Sequence, residues 1–363
     1  MQFNRGEWSE LYALLELLDN QDLKIVNDDL EIIDDNTFKV IGLYIQNNNN
    51  EYYFDIKDID VDVLKNNRII SNVDKTEIRQ YKEVLLNKIL RELPGKGSFP
   101  IQEMKYILEK LTEGNKIKSS SNFKEDINAK LKDNRLNTIV NKVGYSIKSS
   151  LGSPATLLNA SSNTNFKYLV EGLSKDDIES INNIDTKTKL VDRLEYMKDK
   201  QAKIKFDGVI SDTMNQNLQM IDSKLPEILA EILLASYETK EKNISKLLHY
   251  VSENNFLNYT GNSEMYYRKK IGDFLLAVTL GMMPGEIWNG EYDVTGGIIL
   301  VENDGKILVL DAIYYKEYLV KYLIKNTKLD SPSSTRYKMF DIYTDKENNC
   351  FNLNLQIRLL MII

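Results

Sequence analysis

Two stretches decide the fold: Ser119-Ser120-Ser121-Asn122-Phe123-Lys124-Glu125-Asp126-Ile127, and then Gly144-Tyr145-Ser146-Ile147-Lys148-Ser149. An aspartate opens one strand-like run, residues 126–131, and a lysine closes the next, residues 143–148. Paired as antiparallel neighbours, the two runs would carry the carboxylate and the ammonium to the same edge of one sheet. The period of two puts Ser146 and Lys148 on one face of their strand and Ile147 on the other. A hard-cation ligand then faces a positive donor. Asp126 would bind Mg²⁺ through oxygen, the backbone carbonyl of Ile147 could add a ligand, and Lys148 could orient or help deprotonate an attacking water. A plainer reading has Asp126 capping a turn and Lys148 as a solvated strand end.

Charge around this pair points to a phosphate partner. Residues 115–150 hold eight Lys/Arg against three Asp/Glu, a net of +5 inside a chain of net charge −7. A basic island in an acidic protein suits a polyanion. The rest of the composition removes other chemistries. One histidine, His249, and one cysteine, Cys350, cannot build a Cys/His zinc cage or a disulfide framework. A Ser-His-Asp hydrolase would have to run on His249, whose neighbours Leu247, Leu248, Tyr250 and Val251 read as a helix bearing a surface or core-edge histidine. With 42% hydrophobic and 28% charged residues, the 363-residue chain is globular and long enough for two domains or one large core with insertions. Glu7 and Glu10 stand where a signal peptide would be apolar, and the longest apolar run, residues 274–283, stops at Pro284. A cytoplasmic protein is expected, and a single thiol fits a reducing compartment.

Outward from the central pair, residues 7–18 carry Trp8, Leu11, Leu14, Leu15 and Leu18 at helical spacing. Residues 23–73 show short alternating runs punctuated by Asn/Asp, including the tract 47–50, and read as strands and turns. Helical spacing returns over residues 75–93, and Pro94, Gly95, Gly97 and Pro100 mark a boundary near residue 95. A short helix is expected over residues 101–112. Residues 173–285 read as mainly helical, most clearly over 225–236 and 266–280. Asn303-Asp304-Gly305 between residues 298–302 and 306–313 signals a hairpin. Residues 351–358 alternate Phe, Leu, Leu, Ile against Asn, Asn, Gln, Arg, a strand with one wet face. The expected architecture is α/β (α+β), a mixed sheet flanked by helices. Its parts are an N-terminal helix with a β-rich segment (1–95), a catalytic core (96–172), a helical insertion (173–290) and a C-terminal β-containing part (291–363).

Several words of the chain are recognisable. Phe3-Asn4-Arg5-Gly6-Glu7-Trp8-Ser9-Glu10-Leu11, Gly144-Tyr145-Ser146-Ile147-Lys148-Ser149, Leu151-Gly152-Ser153-Pro154, Thr156-Leu157-Leu158-Asn159-Ala160-Ser161 and Thr164-Asn165-Phe166 resemble the HpaII family of type II restriction endonucleases. So do Leu280-Gly281-Met282-Met283-Pro284, Thr295-Gly296-Gly297, Asn326-Thr327-Lys328-Leu329-Asp330, Ser334-Thr335-Arg336 and Leu353-Asn354-Leu355-Gln356-Ile357-Arg358. The resemblance spans nearly the whole chain, in the same order.

It implies a Mg²⁺-dependent endonuclease with a PD-(D/E)XK-like core that cuts double-stranded DNA at a short palindrome, CCGG in the type member. Products would carry 5′-phosphate and 3′-hydroxyl ends, and a cognate DNA methyltransferase would be the genetic partner. Monomer and homodimer both remain open, and no membrane is involved. Asp126 matches the motif aspartate and Lys148 the motif lysine, while Ser146 stands where the commoner motif has Glu or Asp. A second acid is then needed. Glu103, on the helix before the strand pair, is one candidate ligand; Glu10, on the inward face of the first helix, is the other. Arg336, in the loop with Ser333, Ser334 and Thr335, and Gln356 with Arg358 on the wet strand face are candidate base readers. Ser149, Ser150, Thr156, Asn159, Ser161, Asn163 and Asn165 are expected along the DNA backbone. Competing readings are a catalytically inactive DNA-binding protein, in which Ser146 records lost metal binding, and a structure-selective repair nuclease with the same core. The apolar tail, residues 359–363, would either complete the last strand or pack at an interface.

Overall fold

Helix formation begins with a reciprocal cap. The Asn4 side chain accepts from the Glu7 amide at 2.9 Å, and the Glu7 carboxylate accepts from the Asn4 amide at 2.7 Å, which satisfies two amides that a helix end leaves without partners. The helix so started, α1 (Arg5–Asn20), buries Trp8, Leu11, Leu14, Leu15 and Leu18, the stripe expected from the spacing. The computed structural model describes residues 2–47, 50–91, 97–114, 124–152 and 154–360. Asn48, Asn49, Pro94, Gly95, Ser119 to Phe123, Ser153 and the tail from Met361 lie outside the described residues.

After α1 come six strands, β1 (Ile25–Val26), β2 (Ile32–Asp34), β3 (Phe38–Asn47), β4 (Asn50–Ile56), β5 (Asp60–Lys65) and β6 (Arg68–Asp74). Helices α2 (Lys75–Arg91) and α3 (Lys105–Thr112) lead to β7 (Ile127–Asp133) and β8 (Thr138–Ser149), followed by β9 (Thr156–Leu158) and β10 (Asn165–Glu171). The next part holds α4 (Lys175–Asn182), α5 (Lys189–Asp199), β11 (Lys203–Val209), α6 (Asp212–Ile221), α7 (Leu225–Glu238), α8 (Ile244–Asn254) and α9 (Ser263–Leu280). The chain then forms β12 (Gly297–Val301), β13 (Ile307–Asp311), α10 (Lys316–Lys325), β14 (Thr327–Leu329), α11 (Ser334–Tyr337), β15 (Tyr343–Asp345), β16 (Asn348–Asn354) and β17 (Ile357–Leu359). Among the described residues no helix is long and apolar enough to cross a membrane.

Ten strands form one sheet, in the order β2-β1-β13-β12-β8-β7-β3-β4-β5-β6. Strand β8 pairs antiparallel with β7 and parallel with β12, so the sheet is mixed. Strands on both sides of the break near residue 95, and the hairpin from the C-terminal part, all enter this sheet. Every residue of β12 and β13 is buried, because apolar layers cover both faces. Ile299, Val309 and Ile147 pack in the layer with Trp8 and Leu14 of α1. Ile298, Leu300 and Leu310 pack in the layer with Phe274 of α9 and Leu323 of α10. That second layer continues to a four-stranded sheet, β11-β10-β16-β15, and a three-stranded one, β14-β17-β9. Strand β11 was not anticipated in the helical region, although Lys203-Ile204-Lys205-Phe206-Asp207 alternates.

The expected wet strand over residues 351–358 is corrected. Strand β16 ends at Asn354, β17 starts at Ile357, and the two belong to different sheets. Asn354 is fully buried because its amide donates to the Ser161 carbonyl and to Asn165 Oδ1, both at 2.7 Å. Gln356 is buried as well. Of the apolar tail, Leu359 ends β17 and donates to the Ala155 carbonyl at 2.9 Å, and the Leu360 amide donates to the Asn326 carbonyl at 2.8 Å; residues 361–363 lie outside the described residues.

The hairpin beside β8 depends on a glycine. Gly297 has φ +110, and a Cβ there would meet the Leu310 carbonyl oxygen at 2.2 Å. Gly297→Ala should therefore lower stability by about 2 kcal/mol or more, read as a drop in the urea midpoint; an unchanged midpoint would show that the hairpin can rearrange.

Candidate active site

Pairing of β7 with β8 extends one residue ahead of β7, where the Asp126 amide donates to the Tyr145 carbonyl at 2.9 Å. That register holds the Asp126 carboxylate over the end of β8. Its Oδ2 accepts from the Ile147 amide at 2.6 Å and from the Ser146 hydroxyl at 3.1 Å. The Lys148 ammonium donates to the same Ser146 hydroxyl at 2.7 Å. Carboxylate and ammonium thus meet on one buried serine, as the alternation along residues 143–148 predicts. Among the described residues both donors to Asp126 fall on Oδ2, which leaves Oδ1 available to an ion.

Two neighbours went unrecognised in the sequence. Lys124 lies beside this group and donates to the Val278 carbonyl near the end of α9 at 3.1 Å. Burial first, and the Lys148 ammonium second, pull its ammonium down to about 8. Glu125, the next residue, is half-buried. Burial raises its carboxyl, and the Asp293 and Asp126 carboxylates push the same way. Both immediately precede Asp126 in the sequence, but nothing in the local pattern signals burial of a lysine.

The candidate second acids separate clearly. Glu10 lines a cleft of about 440 Å³, along with Arg5 and Ser9 of α1, Lys148 and Ser149 of β8, and Thr156 of β9. Glu103 is corrected: it occupies a 3₁₀ turn, Gln102–Met104, exposed and paired with Lys88 at 2.6 Å, and is not among the residues lining that cleft. The turn that places it precedes α3, and its carboxylate faces α2 through that ion pair.

The expected DNA contacts divide in the same way. Ser150 joins Ser149 and Lys148 around a small recess closed by Leu359 and Leu360. Asn159 is exposed. Ser161 caps the turn Ser162–Thr164, accepting from the Asn163 amide, and Asn165 is held by Asn354. Arg336 and Thr335 are exposed on α11, one helical turn rather than a loop, whose Ser334 is partly buried. Tyr337 donates to the Ala160 carbonyl at 3.0 Å, which brings α11 against the 159–163 segment. Gln356 and Arg358 do not share a wet face. Arg358 donates to Asp330 at 2.6 Å and to the Pro154 carbonyl at 3.3 Å, a structural clasp. His249 is exposed, as its sequence setting suggests.

Residues 4–359 match the family described as HpaII restriction endonuclease. The chain belongs to the HpaII restriction endonuclease family. It is 36% identical over 362 residues to the type II restriction enzyme HpaII of Haemophilus parainfluenzae, a match covering 98% of each chain. No solved structure matches it significantly. This HpaII-family member is a type II site-specific deoxyribonuclease, which decides between the three readings of the sequence in favour of the restriction enzyme.

For this family member, Lys124 gives a pH signature. A depressed value means that the folded chain disfavours the protonated ammonium. That penalty is fully present below about pH 8 and is gone once the pH passes the ordinary 10.5, so stability rises through this window. Melting temperatures between pH 7 and 10 should climb less with pH in Lys124→Met than in the parent chain; equal slopes would contradict the burial of a disfavoured charge.

Proposed function

We propose that the chain cuts double-stranded DNA at a short palindrome, CCGG in the family's type member, using Asp126, Ser146 and Lys148 in a PD-(D/E)XK-like core with Mg²⁺ as cofactor. The observation that carries this reading is the Ser146 hydroxyl, which donates to Asp126 and accepts from Lys148 at the end of β8.

The donor set fits a hard ion. Asp126 Oδ1 and the Ile147 carbonyl are oxygen ligands, with Glu10 along the same cleft, and Mg²⁺ takes one or two carboxylates together with water and phosphate oxygens. Such an ion, held there, would supply activation of a water and neutralisation of charge on the phosphoryl oxygens. The protein's own groups do the remaining work. Ser146 cannot replace a carboxylate; it fixes Asp126 and Lys148 relative to each other. Lys148 presents its ammonium to the attacking water and to the charge that grows on the phosphate during in-line displacement. Glu10 takes the part of the second carboxylate. Departure of the 3′ oxygen leaves 5′-phosphate and 3′-hydroxyl ends.

Recognition falls to exposed or half-buried side chains for which no internal hydrogen bond is seen among the described residues. Arg336 can read guanine O6 and N7, with Thr335, Asn159 and Asn163 alongside. Ser149, Ser150 and Thr156 approach the backbone beside the scissile phosphate. A palindrome presents equivalent phosphates on its two strands, which a homodimer would match by its own two-fold axis. Cytoplasmic activity against duplex DNA calls for a cognate methyltransferase that shields the host genome.

Lys148→Ala and Asp126→Ala should abolish cleavage of unmethylated DNA in Mg²⁺ while leaving the specific gel shift in place; loss of both together would make these residues structural. Glu10→Gln should slow cleavage by about 10- to 100-fold, whereas Glu103→Gln should stay near the parent rate. The reverse ranking would move the second carboxylate to Glu103.

A further inference from the structure

We propose that the loop between α9 and β12 is a base-reading element, with the Glu286 carboxylate as the acceptor for a cytosine amino group. The proposal rests on the nuclease reading above and deepens it by adding a specificity-determining residue.

The loop leaves α9 at Leu280 and returns beside it, where the Val294 amide donates to the Leu280 carbonyl at 2.9 Å. One buried side chain holds its outer part. Asn217 of α6 is fully buried; its amide donates to the Met283 carbonyl at 3.1 Å and to the Glu286 carbonyl at 2.7 Å, and its Oδ1 accepts from the Trp288 amide at 2.9 Å. Glu286 and Ile287 therefore face solvent from a fixed backbone. Loops that act on a partner are characteristically held in this way, by a rigid scaffold beneath them.

The loop also joins the two parts of the site. At its base, a Cβ on Gly144 would stand 2.6 Å from the Asp293 carbonyl oxygen, and the Gly144 amide donates to the Thr295 hydroxyl at 3.1 Å, so the loop rests on β8 just before Ser146. At its tip, a Cβ on Gly285 would stand 3.0 Å from Asn163 Nδ2. A duplex that reaches both the end of β8 and the 159–163 segment runs along this loop.

Residues 281–295 hold three acids and no lysine or arginine. Such a loop repels phosphates, which leaves the base edges as its contact. Against them a carboxylate is selective: it accepts from the cytosine amino group and opposes guanine O6 and N7, which offer only acceptors. No hydrogen-bond or ion-pair partner of the Glu286 carboxylate is seen among the described residues, and Arg336, the guanine reader, lies on the helix that Tyr337 holds against the same 159–163 segment.

The test is equilibrium binding of the full chain, without Mg²⁺, to a duplex containing CCGG and to one lacking it. Glu286→Gln should weaken binding to CCGG by about ten-fold, the size of one lost base contact, and should tighten binding to the other duplex by about two-fold as a repelling charge is removed. Glu286→Asp keeps the charge and shortens the reach, so it should weaken binding to CCGG and leave the other duplex unchanged. Shifts of the same sign on both duplexes, or no shift in a folded Glu286→Gln chain, overturn the proposal. Cleavage of unmethylated DNA by the parent chain in Mg²⁺, with the product ends sequenced, is measured alongside. No cleavage refutes the nuclease reading, and a cut at another sequence makes that sequence the cognate duplex. In either case an unchanged affinity of Glu286→Gln for the non-cognate duplex still overturns the placement of this loop against DNA.

Discussion

The structure depends on the antiparallel pairing of β7 with β8, because that register sets the Asp126 carboxylate against the Ile147 amide and the Ser146 hydroxyl. A carboxylate that accepts two hydrogen bonds from the strand it lies over is fixed in position without help from a third element. Lys148 then needs only the period of two to reach the same hydroxyl. Everything around this pair keeps the end of β8 in place: β12 as its parallel neighbour, α1 on one face, and α9 with α10 on the other.

The serine at 146 changes how the site is built. In the commoner motif a carboxylate at this position would be a second ligand, and it would pull Lys148 into an ion pair. A hydroxyl donates to one partner and accepts from the other, so it holds a carboxylate and an ammonium together while adding no charge. In the proposed site the charge it omits would come from Glu10 of α1, which lines the same cleft. The first helix, remote in sequence, begins with a firm reciprocal cap at Asn4 and Glu7. Its first turn carries Arg5 and its second carries Glu10, and both line the cleft.

Much of this was legible in the sequence. Alternation over residues 143–148 located Lys148 and Ser146 on one face, the leucine stripe of α1 was read residue by residue, and Asn303-Asp304-Gly305 marked the hairpin β12–β13. What was not legible depends on tertiary placement. Glu103 and Glu10 both sit on helical segments with acceptable spacing, and only packing decides that one faces Lys88 and the other the cleft. The alternation of residues 351–358 runs unbroken through a change of sheet, so Asn354 and Gln356 read as wet although Asn354 is a buried clasp. Lys124 looks like an ordinary surface cation, and Arg358 like a base reader on a wet face, until the carbonyls and carboxylate they meet are known.

The most direct test of the central claim is a crystal structure of the chain with Mn²⁺ and an uncleaved duplex, using the metal's anomalous signal to locate the ion. The account predicts an anomalous peak within coordination distance of Asp126 Oδ1 and the Ile147 carbonyl, with the Lys148 ammonium hydrogen-bonded to an oxygen of the same phosphate. A peak elsewhere, or a phosphate that approaches the protein away from the end of β8, would contradict it.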